Sequence, residues 1–205
     1  MSPHVLAIFL PMVLLYLAFW MWYGGNGQRM SPEEIEEALH QLRNSNPGHD
    51  NDAELESVRQ LLASDDGKEF VMQNLVRYRA KALYPEGTHF GDDPREADKR
   101  YGKSIIGDLL RYGNMVIFIA RKSGDFVSPE GADAWHYVAM VRYRSRRDFV
   151  RFAIRANQAD KFMHKWAAIE KTHVFPVKPL ISLAAVRTLV ALSLFAIGAI
   201  LTSLL

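Results

Sequence analysis

Asn74 is the residue whose type fits its surroundings least. It sits in Phe70 to Arg79 (FVMQNLVRYR), an apolar-rich run that reads as a strand. Asparagine is depleted in strands, and burying it costs free energy unless it is hydrogen-bonded. Alternation places it on one face with Met72, Val76 and Tyr78. Two readings follow: a polar group aimed at a ligand between sheet and helices, or a satisfied core amide that fixes a loop. His136 lies on a later expected strand, in phase with Val138, Met140 and Arg142. With Asn74, Tyr101 and His164 it would line a pocket with few polar groups, the common makeup of a small-ligand site. Histidine also carries a proton near neutral pH. The alternative for each histidine is a hydrogen-bonded structural role. Arg142, Arg144, Arg146, Arg147 and Arg151 form the densest basic run. It could meet anionic headgroups, or be a solvated strand end and helix start. The candidate ligand-binding residues are therefore Asn74, Tyr101, His136, Arg142 and His164; no catalytic residue is assigned.

Other chemistries lack their residues. Cysteine is absent, which removes disulfides and thiolate chemistry. No histidine pair has i, i+4 spacing, so no metal site is expected. There is no phosphate-binding P-loop, no G-x-G-x-x-G and no nucleophile elbow. No cofactor is expected from motifs. A net charge of +2 gives no strong field toward nucleic acid.

The elements that must position these residues are sorted by charge. All 25 Lys and Arg lie between Arg29 and Arg187, and all 23 acids lie between Glu33 and Glu170. The ends are apolar. Val5 to Tyr23 carries no charge and would be about 28 Å long as a helix, near the hydrocarbon thickness. Pro11 inside it is tolerated in spanning helices, and Trp20, Trp22 and Tyr23 suit a headgroup belt. A cleaved signal peptide is the alternative. There is no basic leading region and no small-x-small cleavage site before Gly24-Gly25-Asn26-Gly27, so a retained anchor is expected. The second apolar run is Leu180 to Leu205, entered after Pro179, with Arg187 placed to snorkel. Gly198 and Thr202 offer a small-residue packing face. The basic flanks Arg29, Lys178 and Arg187 all lie on the domain side. The positive-inside rule then puts the domain in the cytoplasm of a two-pass protein of the cell (inner) membrane.

Between the spans, Ser31-Pro32-Glu33-Glu34 is a capping box that opens a helix with an Ile35, Ala38, Leu39, Leu42 stripe. Asn46-Pro47-Gly48 breaks it. Asn51 to Glu54 caps a second helix, with Leu55, Val58, Leu61 and Leu62, ended by Asp65-Asp66-Gly67. The order after that is strand (Phe70 to Arg79), helix (from Asp93 to about Tyr112, stopped by Gly113), strand (Asn114 to Arg121), strand (Ala134 to Arg144). A long helical region from Ser145 to about Lys171 and a short strand, Thr172 to Val177, complete it. This β-α-β-β-α-β order predicts an α+β fold of ferredoxin-like type, four antiparallel strands with helices on one face. The expected divisions are 1–28 (anchor and linker), 29–66 (paired helices), 67–178 (ferredoxin-like domain) and 179–205 (second anchor). The open sheet face needs cover, and a second copy is the simplest cover, so a homodimer is expected.

Phe70 to Tyr78 followed by Tyr84-Pro85-Glu86-Gly87 resembles the opening of small dimeric α+β-barrel proteins. That superfamily includes antibiotic-biosynthesis and haem-degrading monooxygenases, and the chain is most similar to a branch of unknown function. Asn74, Tyr101, Gly113, Trp135 to Val141, Ser145-Arg146 and His164 carry the resemblance, which spans Phe70 to Val177. Gly113-Asn114 stands where Gly-Gly is usual, and Lys165 follows His164 in place of Arg. The resemblance implies a dimer and a reused ligand cavity. It also allows monooxygenase chemistry without a cofactor. Asn74, Trp166 and His164 loosely resemble the set used by haem-degrading members, so haem stays as an alternative cofactor; Trp166 and His164 do not share a helix face.

Two functions remain from this reading. One is a membrane-anchored ligand-binding or monooxygenase-like domain acting on a lipophilic molecule, such as a quinone or polyketide-like aromatic. The other is a non-enzymatic accessory or scaffold subunit of a membrane complex.

Overall fold

A computed structural model describes residues 3–46, 52–180 and 186–204. The chain forms two compact units, residues 1–25 with 179–205, and residues 26–178. The break expected at Pro47-Gly48 and the cap residue Asn51 lie outside the described residues, as do residues 181–185 of the second apolar run.

The terminal unit holds α1 (Pro3–Gly24) and α7 (Val186–Ser203). Both are long and apolar enough to cross a membrane. They pack through Phe9 and Phe195, whose rings are 5.8 Å apart. Gly198 makes this approach possible, because a Cβ there would lie 2.8 Å from the Phe9 ring. Thr202 Oγ1 donates to Gly198 O at 2.8 Å, so the polar member of that small pair is satisfied within its own helix. The Arg187 guanidinium lies 4.7 Å from the Trp20 ring centre and 5.1 Å from that of Tyr23, a cation–π arrangement.

The central unit begins with α2 (Pro32–Asn44) and α3 (Asp52–Ala63). The capping box closes α2: Ser31 Oγ accepts from Glu34 N at 3.2 Å, and Glu34 accepts from Ser31 N at 2.8 Å. The apolar stripes of both helices bury Ala38, Leu39, Leu42, Leu55 and Leu62 against Val150, Ala153 and Ile154. The paired helices are thus part of the same unit as the sheet.

The sheet comprises β1 (Phe70–Tyr78), β2 (Met115–Arg121), β3 (Tyr137–Tyr143) and β4 (Ile169–Val177). It is antiparallel throughout, in the order β2-β3-β1-β4. Helix α4 (Pro94–Arg111) follows β1, and α5 (Arg146–Ala156) and α6 (Ala159–Ala168) follow β3. The fold is mixed α+β. Where one long helical region was expected, Asn157 ends α5 and Gln158 is extended. The Asn157 amide donates instead to Leu42 O and Ser45 Oγ. Strand β4 starts earlier than its sequence suggests, because Ile169 already pairs with Tyr78.

Register assigns the faces. Met72, Asn74 and Val76 of β1 stand opposite Val141, Ala139 and Tyr137 of β3. Met72 and Val141 meet Ile105 and Leu109 of α4 and Phe152 of α5 in one buried cluster, and Val76 and Tyr137 meet Ala167 of α6 in another. The reverse face carries Leu75, Val138, Met140, Phe118 and Phe175, none of them buried. Asn114, immediately before β2, is fully buried. Its Nδ2 donates to Asp148 O at 3.3 Å and its Oδ1 accepts from Arg144 N at 3.1 Å, tying β2 to the β3–α5 turn.

Candidate functional site

Between the helix-covered face of the sheet and α4–α6 lies a cavity of about 1370 Å³. Its walls are largely apolar: Met72, Val76, Val116 and Val141 from the sheet, Ile105 and Leu109 from α4, Phe152 from α5. This follows from the two periodicities. Every second strand residue and the i, i+4 stripe of α4 face the same space.

On α4 a carboxyl interrupts that wall. Asp98 belongs to α4, seven residues before Ile105, so it shares the apolar stripe. Its Oδ2 accepts from Tyr78 Oη at 2.8 Å and its Oδ1 from Tyr137 Oη at 3.4 Å. Burial pushes the Asp98 carboxyl above the usual carboxylate range, and the two phenols oppose that shift. Burial and then the adjacent Asp98 raise the phenols of Tyr78, Tyr137 and Tyr101 well above the usual tyrosine value, so all three stay neutral. Deeper along β1, Asn74 Nδ2 donates to Met72 O at 3.2 Å and to Ala139 O at 3.3 Å. Thr172 Oγ1 donates to Leu75 O at 3.0 Å. Lys165 also lines the cavity, with its Nζ 4.9 Å from the Trp166 ring centre; burial lowers its affinity for a proton, and Glu54 partly restores it. Exposed Arg95 and Arg121 stand at the rim near Tyr78.

Three of the five sequence candidates meet here: Asn74, Tyr101 and His136 line the cavity. His136 does so from a position the sequence misplaced. It precedes β3 and is exposed. Its Nδ1 accepts from Tyr78 N at 2.9 Å, and its ring stacks on Tyr78 at 5.6 Å, holding the rim. The other two go elsewhere.

Arg142 alternates away from the cavity and is buried, paired with Glu69 through Nε (3.0 Å) and Nη2, and donating from Nη1 to Gly113 O at 2.9 Å. Its neighbours in the basic run are likewise engaged. Arg144 pairs with Asp148 at 2.7 Å, Arg146 with Asp66 at 2.8 Å, and Arg147 with Glu34 at 3.0 Å. These pairs tie the domain together; Arg151, the exposed member of the run, lies 3.8 Å from Asp148. His164 is taken by Tyr84, whose Oη is 2.8 Å from Nδ1, and stands edge-on to Phe90. Burial and nearby Arg100 lower its affinity for a proton. Trp166 packs instead with Val76 and Ala97. Asn74, His164 and Trp166 therefore do not converge. The arrangement that would hold haem is not formed by these side chains. Among the described residues no group of three His, Cys, Asp or Glu could hold a metal ion.

Sequence reading missed Asp98, Tyr137 and Thr172. Asp98 had a usable signal: a carboxylate at i, i+3, i+7 with Tyr101 and Ile105 breaks an otherwise apolar stripe. The roles of Tyr137 and Thr172 depended on register, which the sequence does not state.

No family model matches the chain, and no curated protein matches it. Two crystal structures of the RPA0582 protein of Rhodopseudomonas palustris, a protein of unknown function, are similar to it. One is of the methylated protein, with 28% identity and a TM-score of 0.55, covering 62% of this chain and 91% of that one. The other has 28% identity and a TM-score of 0.54, covering 62% and 94%.

Proposed function

We propose that this protein is a membrane-anchored binding domain whose cavity takes a small lipophilic molecule. The observation that carries it is the cavity itself: apolar walls sized for a multi-ring molecule, with polar groups gathered around Asp98. The anchors suit such a ligand, because it partitions into the bilayer where α1 and α7 would hold the domain. The flanking basic residues favour the cytoplasmic side of the cell membrane. Strand order β2-β3-β1-β4 with a β-α-β-β-α-β chain order supports a ferredoxin-like domain. The apolar reverse face supports a homodimer of dimeric α+β-barrel type. A monooxygenase-like reaction on the bound molecule is the chemical extension, with Asp98 as the proton acceptor inside the cavity.

The test is occupancy of the cavity. Ala139 lies at its wall, opposite Asn74. In the full chain held in lipid nanodiscs, Ala139→Trp should weaken saturable binding of apolar aromatic probes that the wild type binds. Equal binding by both proteins would refute the reading. The alternative, a scaffold subunit, draws on the exposed Phe118 of the reverse face. Purification in mild detergent with stoichiometric foreign partners and an empty cavity would favour it.

A further inference from the structure

Six polar side chains of the cavity share one hydrogen-bond polarity. Asp98 accepts through both carboxyl oxygens. Tyr78 and Tyr137 each have one O–H, and both donate to Asp98, at 2.8 and 3.4 Å. Each phenol oxygen retains only accepting lone pairs. Thr172 has one O–H, given to Leu75 O at 3.0 Å. Asn74 has two N–H groups, given to Met72 O and Ala139 O at 3.2 and 3.3 Å. Turning that amide over would press its oxygen against two carbonyl oxygens, so Oδ1 is the atom left to the cavity. Asn157 repeats the pattern, with its Nδ2 on Leu42 O at 3.4 Å and Ser45 Oγ at 2.8 Å. All six side chains line the same cavity. Each therefore offers acceptors and no free donor.

Donors lie elsewhere on the lining. Arg95 and Arg121 are exposed at the rim, where water satisfies them. Lys165 lies over the Trp166 ring. The Tyr101 hydroxyl can accept as well as donate.

We propose that the cavity selects its ligand by hydrogen-bond donors: it holds a hydroxyl-bearing apolar molecule, an alcohol or phenol, and discriminates against the ether or carbonyl counterpart. This rests on the cavity being a ligand site. A carbonyl oxygen brought to this end would face a carboxylate, two phenol oxygens and an amide oxygen with no proton between them. A hydroxyl supplies that proton. Burial strengthens the choice, because a mismatched polar pair has no water to repair it. The raised proton affinity of Asp98 makes it a better acceptor than a solvated carboxylate.

The experiment compares 2-naphthol with 2-methoxynaphthalene, which differ by one methyl that removes the donor. The cavity far exceeds either probe, so the methyl itself meets no wall. The full chain in nanodiscs at pH 8 is titrated by probe fluorescence, with protein-free nanodiscs of the same lipid as the blank for partitioning. A hydrogen bond to a charged acceptor predicts that the naphthol binds about tenfold to a hundredfold more tightly than the ether. Asp98→Asn, which turns part of the acceptor into a donor, should bring the ratio close to one. Thr172→Val, a gentler change, should lower it partway. A wild-type ratio of one with both probes bound above the blank would overturn the donor rule and leave the binding function standing. An unchanged ratio in folded Asp98→Asn would overturn it also. Binding of neither probe above the blank would overturn the ligand-site reading and the donor rule with it.

Discussion

Arg142 separates a structural reading from a ligand-binding one most sharply. Its side chain is 5% exposed and that of Glu69 is 45% exposed. Arg142→Met keeps the volume of the stem and removes the hydrogen bonds to Glu69 and to Gly113 O. Glu69 is nearly half in water and recovers much of its loss by hydration. The buried Gly113 carbonyl does not, and an unsatisfied buried acceptor costs about 1–3 kcal/mol. Adding about 1 kcal/mol for the partly screened pair gives a destabilisation of about 2–4 kcal/mol. For a unit of this size each kcal/mol lowers Tm by about 2–4 °C, so the loss should be about 5–15 °C. The assay is thermal unfolding of the full chain in detergent, followed by tryptophan fluorescence. Arg142→Lys keeps the charge but not the fork, and should fall between. Probe binding by the folded variant should equal that of wild type. A Tm loss under about 2 °C, or lost binding with unchanged Tm, would refute this account.

Two further outcomes follow. Gly67 has φ +73° and a Cβ there would lie 2.2 Å from Gly27 O, whereas Gly87, at φ +82°, has nothing within 4 Å. Gly67→Ala should therefore cost about 2–4 kcal/mol and Gly87→Ala only about 1, read as a difference in Tm between the two variants. Asp98 has a folded-state proton affinity above its unfolded one, so protonating it favours the folded state. Its contribution is fully present below about pH 4 and is lost as pH rises through the raised value. The Tm of wild type relative to Asp98→Asn should accordingly rise as pH is lowered from 8 toward 4, and a flat difference across that range would contradict the burial of this carboxyl.

The elements were legible where physics is local. The capping box at Ser31, the Gly113 stop and the alternation through Phe70 to Tyr78 each rest on neighbours within a turn or a pleat. Asn74 stood out because its type conflicts with its strand, and it does face the cavity. Arg142 and His164 misled for the opposite reason: each is a plausible ligand group by type, and each is consumed by a partner distant in sequence. Arg142 finds Glu69, 73 residues away, and His164 finds Tyr84, 80 residues away.

The sequence by itself determined that the chain is apolar at both ends, charged between, and α+β in its middle. Hydrophobicity and period are properties of contiguous residues, and no folding is needed to read them. Tertiary structure alone decided which polar side chains share a space and which way their protons point. Asp98, Tyr78 and Tyr137 come together only when α4 is laid on β1 and β3 in one register. The acceptor character of the cavity follows from where their donors, and those of Asn74 and Thr172, are already used.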